Sequence, residues 1–307
     1  MRIVIDTDPG VDDAHAIMMA LAYPDVHIEA LTTVVGNVPL ERTTANALTI
    51  LDIYERDIPV YAGCSQAIIG HDEDASHVHG EDGLGNSNYP ASARQSESEH
   101  AVNALVRMAN DFPGELTLVA IGPLTNVAMA TRLDPSLPVK YKRLVVMGGA
   151  IRAMGNTKNV STEFNLYSDP EAGAIVFDAW KDVALVSWET TMAYPFSADQ
   201  IEVLGSQDNA RSEFFNRITQ NTVKFIQERL GRKMLFAPDP LAVAVALEPD
   251  IVTKSENHFI QVEMRGEHTR GQTTVDWSDT TGEDVNAEII LEVDSDRLWE
   301  LMKAAVN

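Results

Sequence analysis

The chain has little positive charge and almost no cysteine. Of its 307 residues, 23 are Lys or Arg and 46 are Asp or Glu, so the formal net charge is −23. Nucleic acids and anionic membranes bind clusters of positive side chains, so we expect neither as a main partner. Cys64 is the single cysteine, which excludes an intrachain disulfide and is typical of a reducing compartment. A neutral ligand or a bound cation is compatible with this charge.

Long hydrophobic runs are also missing. Apolar stretches such as residues 241–247 fall far short of the ~18 residues that a membrane-spanning helix needs. The first residues, MRIVIDTDPG, enter a predicted strand without the basic and apolar regions of a secretory signal. We therefore expect a cytoplasmic protein.

Short apolar runs alternate with helical patterns along the chain. The runs are continuous, which is typical of strands buried on both faces of a parallel sheet. They occupy residues 2–5, 28–33, 116–121, 144–147 and 183–186. The alternation predicts an α/β fold with an open, mainly parallel, Rossmann-like sheet flanked by helices. Residues 258–293 add a small β-rich C-terminal portion. Because no Pro/Ser-rich linker divides the chain, residues 1–307 are expected to form one domain.

Helix starts are indicated by a turn or capping residue followed by proline. This pattern predicts helices over residues 124–132, 171–180 and 241–247, opened by Pro123, Pro170 and Pro240. A longer helix is predicted over residues 209–232. Residues 71–90 are polar, glycine-bearing and aperiodic, which predicts a long loop of the kind that is often functional or disordered.

Four aspartates, at positions 6, 8, 12 and 13, lie within eight residues directly after the first predicted strand. In open α/β sheets, ligands bind outside the carboxyl ends of the strands. Carboxylates this close repel one another, and a hard cation with oxygen ligands, Ca²⁺ or Mg²⁺, is the simplest counter-charge. Zinc would call for a cluster of His or Cys, and His15 stands alone.

Other interpretations of this cluster remain open. Asp12 or Asp13 could simply cap a helix over residues 14–22. The first aspartate could be the nucleophile of an aspartyl-phosphate enzyme of the haloacid dehalogenase type. A calcium loop of the EF-hand type is excluded, because Val11 and Ile17 occupy the positions that require Gly and Glu.

The segment DTDPGVDDAHAI resembles the signature of the nucleoside hydrolases, the inosine–uridine-preferring family. Further collinear segments agree: TTVVGN (32–37), HGEDGLG (79–85), IGPLTN (121–126), MGGA (147–150), EFN (163–165), DPEA (169–172), DPLAVAVAL (239–247) and VDW (275–277). The resemblance implies a cytoplasmic N-ribohydrolase of nucleoside salvage that splits a purine or pyrimidine ribonucleoside into base and ribose around a tightly held Ca²⁺. It also implies a homodimer or homotetramer.

Site residues follow from the same resemblance. The calcium ligands would be the carboxylates of Asp8, Asp13 and Asp239 and the backbone carbonyl of Ile121. Metal-bound water would be the nucleophile and Asp8 its base. On the substrate side, Asp12 would face the sugar, and the ribose hydroxyls would be bound by Asn37, Glu163 and Asn165. The 5′ side of the substrate would meet Met147 and Asn156. His79 would also belong to the substrate-binding residues.

The chain departs from the family pattern at one point. Several family members have a histidine immediately before the third metal aspartate, and here that residue is Pro238. Proline cannot give a proton to the leaving base. The remaining candidates are His79, His77, Tyr89, Lys224 and Arg232, with Trp188 and Trp277 as stacking partners for the base.

Simpler readings exist for these residues. Asp239 before Pro240 matches a helix cap, as Asp169 before Pro170 does, and Met147 at a strand end is typical of a core residue. Two alternative functions also stay open. One is a non-catalytic ribose or nucleoside binder that retains the metal site, and the other is a hydrolase of a different ribosyl-like glycoside.

Overall fold

The computed structural model describes residues 1–70 and 73–307. Its strands are β1 (Arg2–Thr7), β2 (His27–Thr33), β3 (Val60–Ala62), β4 (Leu116–Ala120), β5 (Arg143–Met147), β6 (Val183–Val186), β7 (Phe196–Ser197), β8 (Met234–Leu235), β9 (Val252–His258), β10 (Ile260–Val262), β11 (Thr273–Val275) and β12 (Ala287–Val293). Its helices are α1 (Val11–Ala22), α2 (Leu40–Ile53), α3 (Ser76–His79), α4 (Ala101–Asp111), α5 (Thr125–Leu133), α6 (Leu137–Lys140), α7 (Phe164–Ser168), α8 (Pro170–Ala179), α9 (Trp188–Met192), α10 (Ala198–Gly205), α11 (Ala210–Leu230), α12 (Pro238–Leu247) and α13 (Ser295–Ala305), with a short 3₁₀ turn at Pro249–Ile251.

The central element is an eight-stranded sheet with the order β3-β2-β1-β4-β5-β6-β12-β9. Its pairs are parallel except for the edge pair β12–β9, which is antiparallel. The predicted α/β class with an open, mainly parallel sheet is therefore confirmed. All five strands predicted from apolar runs belong to this sheet. The C-terminal β-rich portion is also present: β9 and β12 extend the main sheet, and β10 and β11 form a separate antiparallel pair.

Hydrophobic residues fill both faces of the sheet because neighbouring strand residues point to opposite sides. Ile3 and Ile5 pack on one face with apolar residues of α1, α12 and α13, whereas Val4 packs on the other with those of α4, α5 and α8. Among the residues that the structure describes, no helix combines the length and apolar character needed to span a bilayer.

The helix starts differ from the predicted ones by one to three residues, most at α1 and α12. α5 begins at Thr125 rather than directly after Pro123, and α1 begins at Val11, three residues before the predicted start. α12 begins at Pro238, so Asp239 lies inside its first turn. The predicted loop over residues 71–90 contains the short helix α3, and His71 and Asp72 of that prediction lie outside the described residues.

Candidate active site

The acidic cluster lies at the carboxyl end of β1, where the chain turns into α1. Asp13 receives four hydrogen bonds there: from Thr7 Oγ1 (2.6 Å), Asp8 N (3.1 Å), Gly10 N (3.0 Å) and Asn37 Nδ2 (2.9 Å). The bond from Gly10, which precedes the first helical residue, satisfies a free N–H at the start of α1. Asp13 therefore does stabilise the helix start, and it also fixes the turn that carries Asp8.

Asp8 is completely buried and only half satisfied. Its Oδ2 accepts the backbone N–H of Asn37 at 2.7 Å, whereas its Oδ1 is buried with no hydrogen-bond partner among the described residues. Glycines on two neighbouring segments make room for this carboxylate. A Cβ on Gly36 would lie 2.0 Å from Oδ2, and a Cβ on Gly122 would lie 2.5 Å from Oδ1.

Asp239 reaches the same place from α12. Asp12, Asp13 and Asp239 each offer a carboxylate oxygen, and these oxygens lie within 4.8 Å of one another. The interpretation of Asp239 as a helix cap is wrong, because its side chain accepts no capping bond and the helix starts one residue earlier. Asp169, in contrast, does cap its helix, because it accepts the N–H of Ala172 at 3.0 Å. Asp12, expected to face the sugar, is one of the three converging carboxylates.

Burial and mutual repulsion make this cluster costly to ionise. Burial raises the pKa of Asp8 well above its usual range, and the negative charges of Asp13 and Asp12 raise it further. The pKa of Asp239 is raised by burial and then by the charges of Asp12 and Asp13. Burial also raises the pKa of Asp12 to about 6. A bound cation would relieve both costs, and a donor set of carboxylate oxygens without His or Cys suits a hard divalent ion.

A cavity of about 370 Å³ opens beside the cluster. Its lining includes Asp12 and Asp239 but not Asp8 or Asp13. All the other predicted site residues line it as well, namely Asn37, His79, Ile121, Met147, Asn156, Glu163 and Asn165. The cavity is thus polar where it meets the carboxylates. Met147, for which a plain core role was the simpler reading, is both buried and part of this lining.

Glu163 and Asn165 organise the wall formed by α7. The Glu163 carboxylate accepts backbone N–H groups of Gly149 (2.8 Å), Asn165 (2.8 Å) and Leu166 (3.2 Å). Burial nevertheless raises the pKa of Glu163 to about 7. The Asn165 amide donates to the carbonyl of Ile121 at 2.9 Å. A carbonyl oxygen has two lone pairs, so Ile121 keeps one for another partner.

His79 and Asn156 add two further polar groups. His79 Nδ1 accepts the N–H of Val11 at 3.1 Å and lies 3.5 Å from Asp12 Oδ1. Burial lowers the pKa of His79 to about 4, so the ring is neutral near pH 7, with its proton on Nε2. Asn156 Oδ1 is buried without a hydrogen-bond partner among the described residues. Because Asn156 lines the cavity, this unsatisfied oxygen is a candidate acceptor for a ligand hydroxyl.

The lining of the cavity also includes aromatic rings and one guanidinium. Trp188 and Phe236 make an edge contact, with ring centroids 5.6 Å apart, and Phe225 and Arg229 line the cavity as well. Of the candidate proton donors, His77 and His79 line the cavity, whereas Tyr89, Lys224 and Arg232 do not; Trp277 does not line it either. Sequence reasoning missed Arg229, although the helical spacing of positions 222, 225, 226 and 229 in α11 puts these residues on one face.

Comparisons with known proteins agree with this geometry. The family model described as inosine-uridine preferring nucleoside hydrolase matches residues 3–300. An inosine-uridine preferring nucleoside hydrolase of Crithidia fasciculata is 33% identical over all of this chain and 97% of its own length. The pyrimidine-specific ribonucleoside hydrolase RihB of Escherichia coli K12 is 32% identical with the same coverage. The solved structure of the plant nucleoside hydrolase PpNRh1 superposes with a TM-score of 0.94 at 32% identity, covering 99% of this chain and 98% of that one. The chain therefore belongs to the inosine-uridine preferring nucleoside hydrolase family.

Proposed function

We propose that this chain is a calcium-dependent hydrolase of the N-glycosidic bond of ribonucleosides, releasing free base and ribose. The observation that carries the proposal is the meeting of Asp12 and Asp13, near the amino terminus, with Asp239, more than 220 residues later, beside a cavity. A cavity lined by both carboxylates and aromatic rings suits a nucleoside, which has a hydroxylated sugar and a flat base.

The cation would be held by the carboxylates of Asp8, Asp13 and Asp239 and by the carbonyl of Ile121. The unpartnered Oδ1 of Asp8 supports this assignment, since a buried carboxylate oxygen without a donor is costly unless a cation neutralises it. Calcium accepts 6–8 oxygen ligands in flexible geometry, which suits a site that shares its ion with substrate hydroxyls. When bound there, the ion would supply Lewis acidity towards water and the ribose diol.

The chain's own residues would orient the sugar. Asp12, Asn37, Glu163 and Asn165 all line the cavity and would hydrogen-bond the 2′- and 3′-hydroxyls. Asn156 and Met147 would take the 5′ side, where the free Oδ1 of Asn156 can accept a hydroxyl proton. Fixing the ribose by several buried hydrogen bonds brings C1′ close to attack geometry. The carboxylate of Asp8 would accept the proton of the attacking water.

Departure of the base needs a proton donor or a stacking partner. The resemblance to the family predicts a histidine at position 238, and Pro238, which lines this cavity, has no proton to give. His79, neutral and protonated on Nε2, lines the cavity and has a proton to donate. Stacking on Trp188 and Phe236 would favour a protonated purine, whose spread positive charge is attracted by ring faces.

The deciding experiment is a reducing-sugar assay on inosine and uridine, with and without a chelator. Release of ribose that stops on chelation and returns with calcium supports the proposal. Tight nucleoside binding without release would identify a non-catalytic binder, and activity only on another ribosyl-like glycoside would change the substrate class. Ribonucleosides should also be cleaved far better than 2′-deoxyribonucleosides, because a missing hydroxyl leaves buried polar partners unsatisfied.

Wider expectations accompany this function. Residues 1–307 would work as one domain, because the site draws on both Asp8 and Asp239. We also propose a cytoplasmic role in nucleoside salvage as a homodimer or homotetramer, which sedimentation of the purified protein would test.

A further inference from the structure

The segment that leads from β5 to Asn156 is held by a residue outside the cavity. Gly148 N bonds Val186 O at 3.0 Å, and Trp188 N bonds Gly149 O at 3.0 Å, so the start of the segment is fixed to β6 and α9. Beyond Gly149 the chain leaves the sheet edge, and residues 152–154 are exposed. The segment is held again at its other end, where Asn156 N bonds Thr162 O at 3.0 Å. The residues between these two points still need a partner if Asn156 is to keep one orientation.

Glu189 on α9 supplies that hold. Its Oε2 accepts the N–H of Ile151 at 3.0 Å, and its Oε1 accepts those of Arg152 at 2.8 Å and Met154 at 3.2 Å. Successive N–H groups that converge on one anion form a backbone nest, a concavity that binds negative charge. Here a carboxylate of the chain itself fills the nest.

The backbone between these bonds is in an unfavourable conformation. Ala153 has φ 58°, in the left-handed region that residues with a Cβ rarely adopt. The N–H groups on both sides of it, of Arg152 and Met154, bond the same oxygen of Glu189. Such a conformation persists only where the surroundings determine it, and the carboxylate of Glu189 is what the structure offers.

We infer that Glu189 is a positioning residue for recognition of the substrate's 5′-hydroxyl. It acts through the segment of residues 151–156, which it holds so that the unpartnered Oδ1 of Asn156 meets that hydroxyl. The inference rests on the proposed function, which assigns the 5′ side to Asn156. It adds that discrimination for this hydroxyl depends on a carboxylate that does not line the cavity. Glu189 follows Trp188, which lines the cavity, so α9 would serve the site through two adjacent residues.

The test compares each ribonucleoside with its 5′-deoxy analogue. In the parent, kcat/KM for inosine should exceed that for 5′-deoxyinosine by about 10–100-fold, because the analogue leaves a buried oxygen unpaired. Glu189→Ala should bring this ratio to within about threefold of one while changing kcat/KM for 5′-deoxyinosine little. Glu189→Gln keeps one acceptor oxygen and should retain most of the ratio. The control is Glu288→Gln, whose half-buried carboxylate pairs with Arg143, the first residue of β5, whereas the segment of residues 151–156 follows the last residue of that strand.

A double-mutant comparison separates positioning from general damage. If Glu189 acts through Asn156, Glu189→Ala should not change the ratio further in an Asn156→Ala background. Equal losses on inosine and 5′-deoxyinosine would overturn the inference, since they would show only a structural role. An unchanged ratio in Glu189→Ala would overturn it as well.

Trypsin gives a readout that does not depend on catalysis. Arg152 is exposed, but its N–H is bonded to Glu189. Cleavage after Arg152 should be at least about tenfold faster in Glu189→Ala than in the parent, because local opening controls proteolysis. An equal rate would contradict the inference.

If the parent cleaves no ribonucleoside, the proposed function fails, and the same ratio is then taken from dissociation constants of inosine and 5′-deoxyinosine. Failure of the parent to bind either would remove the inference too.

Discussion

The carboxylate of Asp8 occupies the space that a side chain at position 36 would need. A Cβ on Gly36 would lie 2.0 Å from Asp8 Oδ2, and Asn37, the next residue, donates its N–H to that same oxygen at 2.7 Å. The loop after β2 therefore both makes room for Asp8 and orients it. This close approach explains why glycine stands before the asparagine in TTVVGN.

Gly36→Ala should accordingly displace the Asp8 carboxylate. A misplacement of about 1 Å in a catalytic site can cost roughly 100-fold in rate, so we expect kcat/KM on inosine to fall by about that factor. Gly70→Ala is the matched control, because a Cβ there meets nothing within 4 Å. Steady-state kinetics on both variants measure the effect. Parent-like kinetics for Gly36→Ala would show that the position of Asp8 does not matter.

Asp8→Asn tests the proposed base directly. The amide nearly preserves size but cannot accept the water proton as a carboxylate does, so kcat should fall by about 10²–10⁴-fold, the usual contribution of general-base catalysis. Asp178→Asn, on the exposed face of α8, should keep full activity. Circular dichroism would check that both variants are folded. A kcat equal to that of the parent on any ribonucleoside would remove Asp8 from the mechanism.

Much of the fold could be predicted because its signals are local. Buried parallel strands produce continuous apolar runs, and all five of these runs are strands of the main sheet. The first acidic motif also stands out in a linear reading. The start of α5 could not be predicted in this way. Gly122 packs against Asp8, where a Cβ would lie 2.5 Å from Oδ1, and the helix begins at Thr125, one residue later than predicted.

Glu189 shows what sequence reasoning cannot reach. Its partners are backbone N–H groups nearly 40 residues away, and backbone groups leave no trace in residue identity. Asp239 is visible in the sequence, but its local pattern indicates the wrong role. An Asp-Pro pair is typical of a helix cap, and only tertiary packing of α12 against α1 turns this carboxylate towards the cluster.

Cation binding should appear as a gain in thermal stability. A ligand that binds only the folded state at about 100 times its dissociation constant adds about 2.7 kcal/mol, which corresponds to roughly 4 °C for a chain of this size. Calcium should give the chelated parent such a shift, and Asp239→Asn should lose most of it. Differential scanning calorimetry of the parent, Asp239→Asn and Asp178→Asn makes the comparison. Retention of the full shift by Asp239→Asn would exclude it as a ligand.

Glu163 should make the stability of the chelated protein depend on pH. Burial raises its pKa from 4.5 to about 7 in the folded state. Between these values the folded state holds a proton that the unfolded state has lost, so this contribution to stability is complete below pH 4.5 and disappears as pH rises through 7. The shift corresponds to about 3 kcal/mol. Glu163→Gln has no such titration, so the unfolding free energy of the parent should fall relative to that of the variant from pH 5 to pH 8. Urea unfolding of both proteins at these pH values, in chelator, measures it. A constant difference would mean that the folded and unfolded states ionise this group alike, and that the backbone N–H groups of Gly149, Asn165 and Leu166 offset the full cost of its burial.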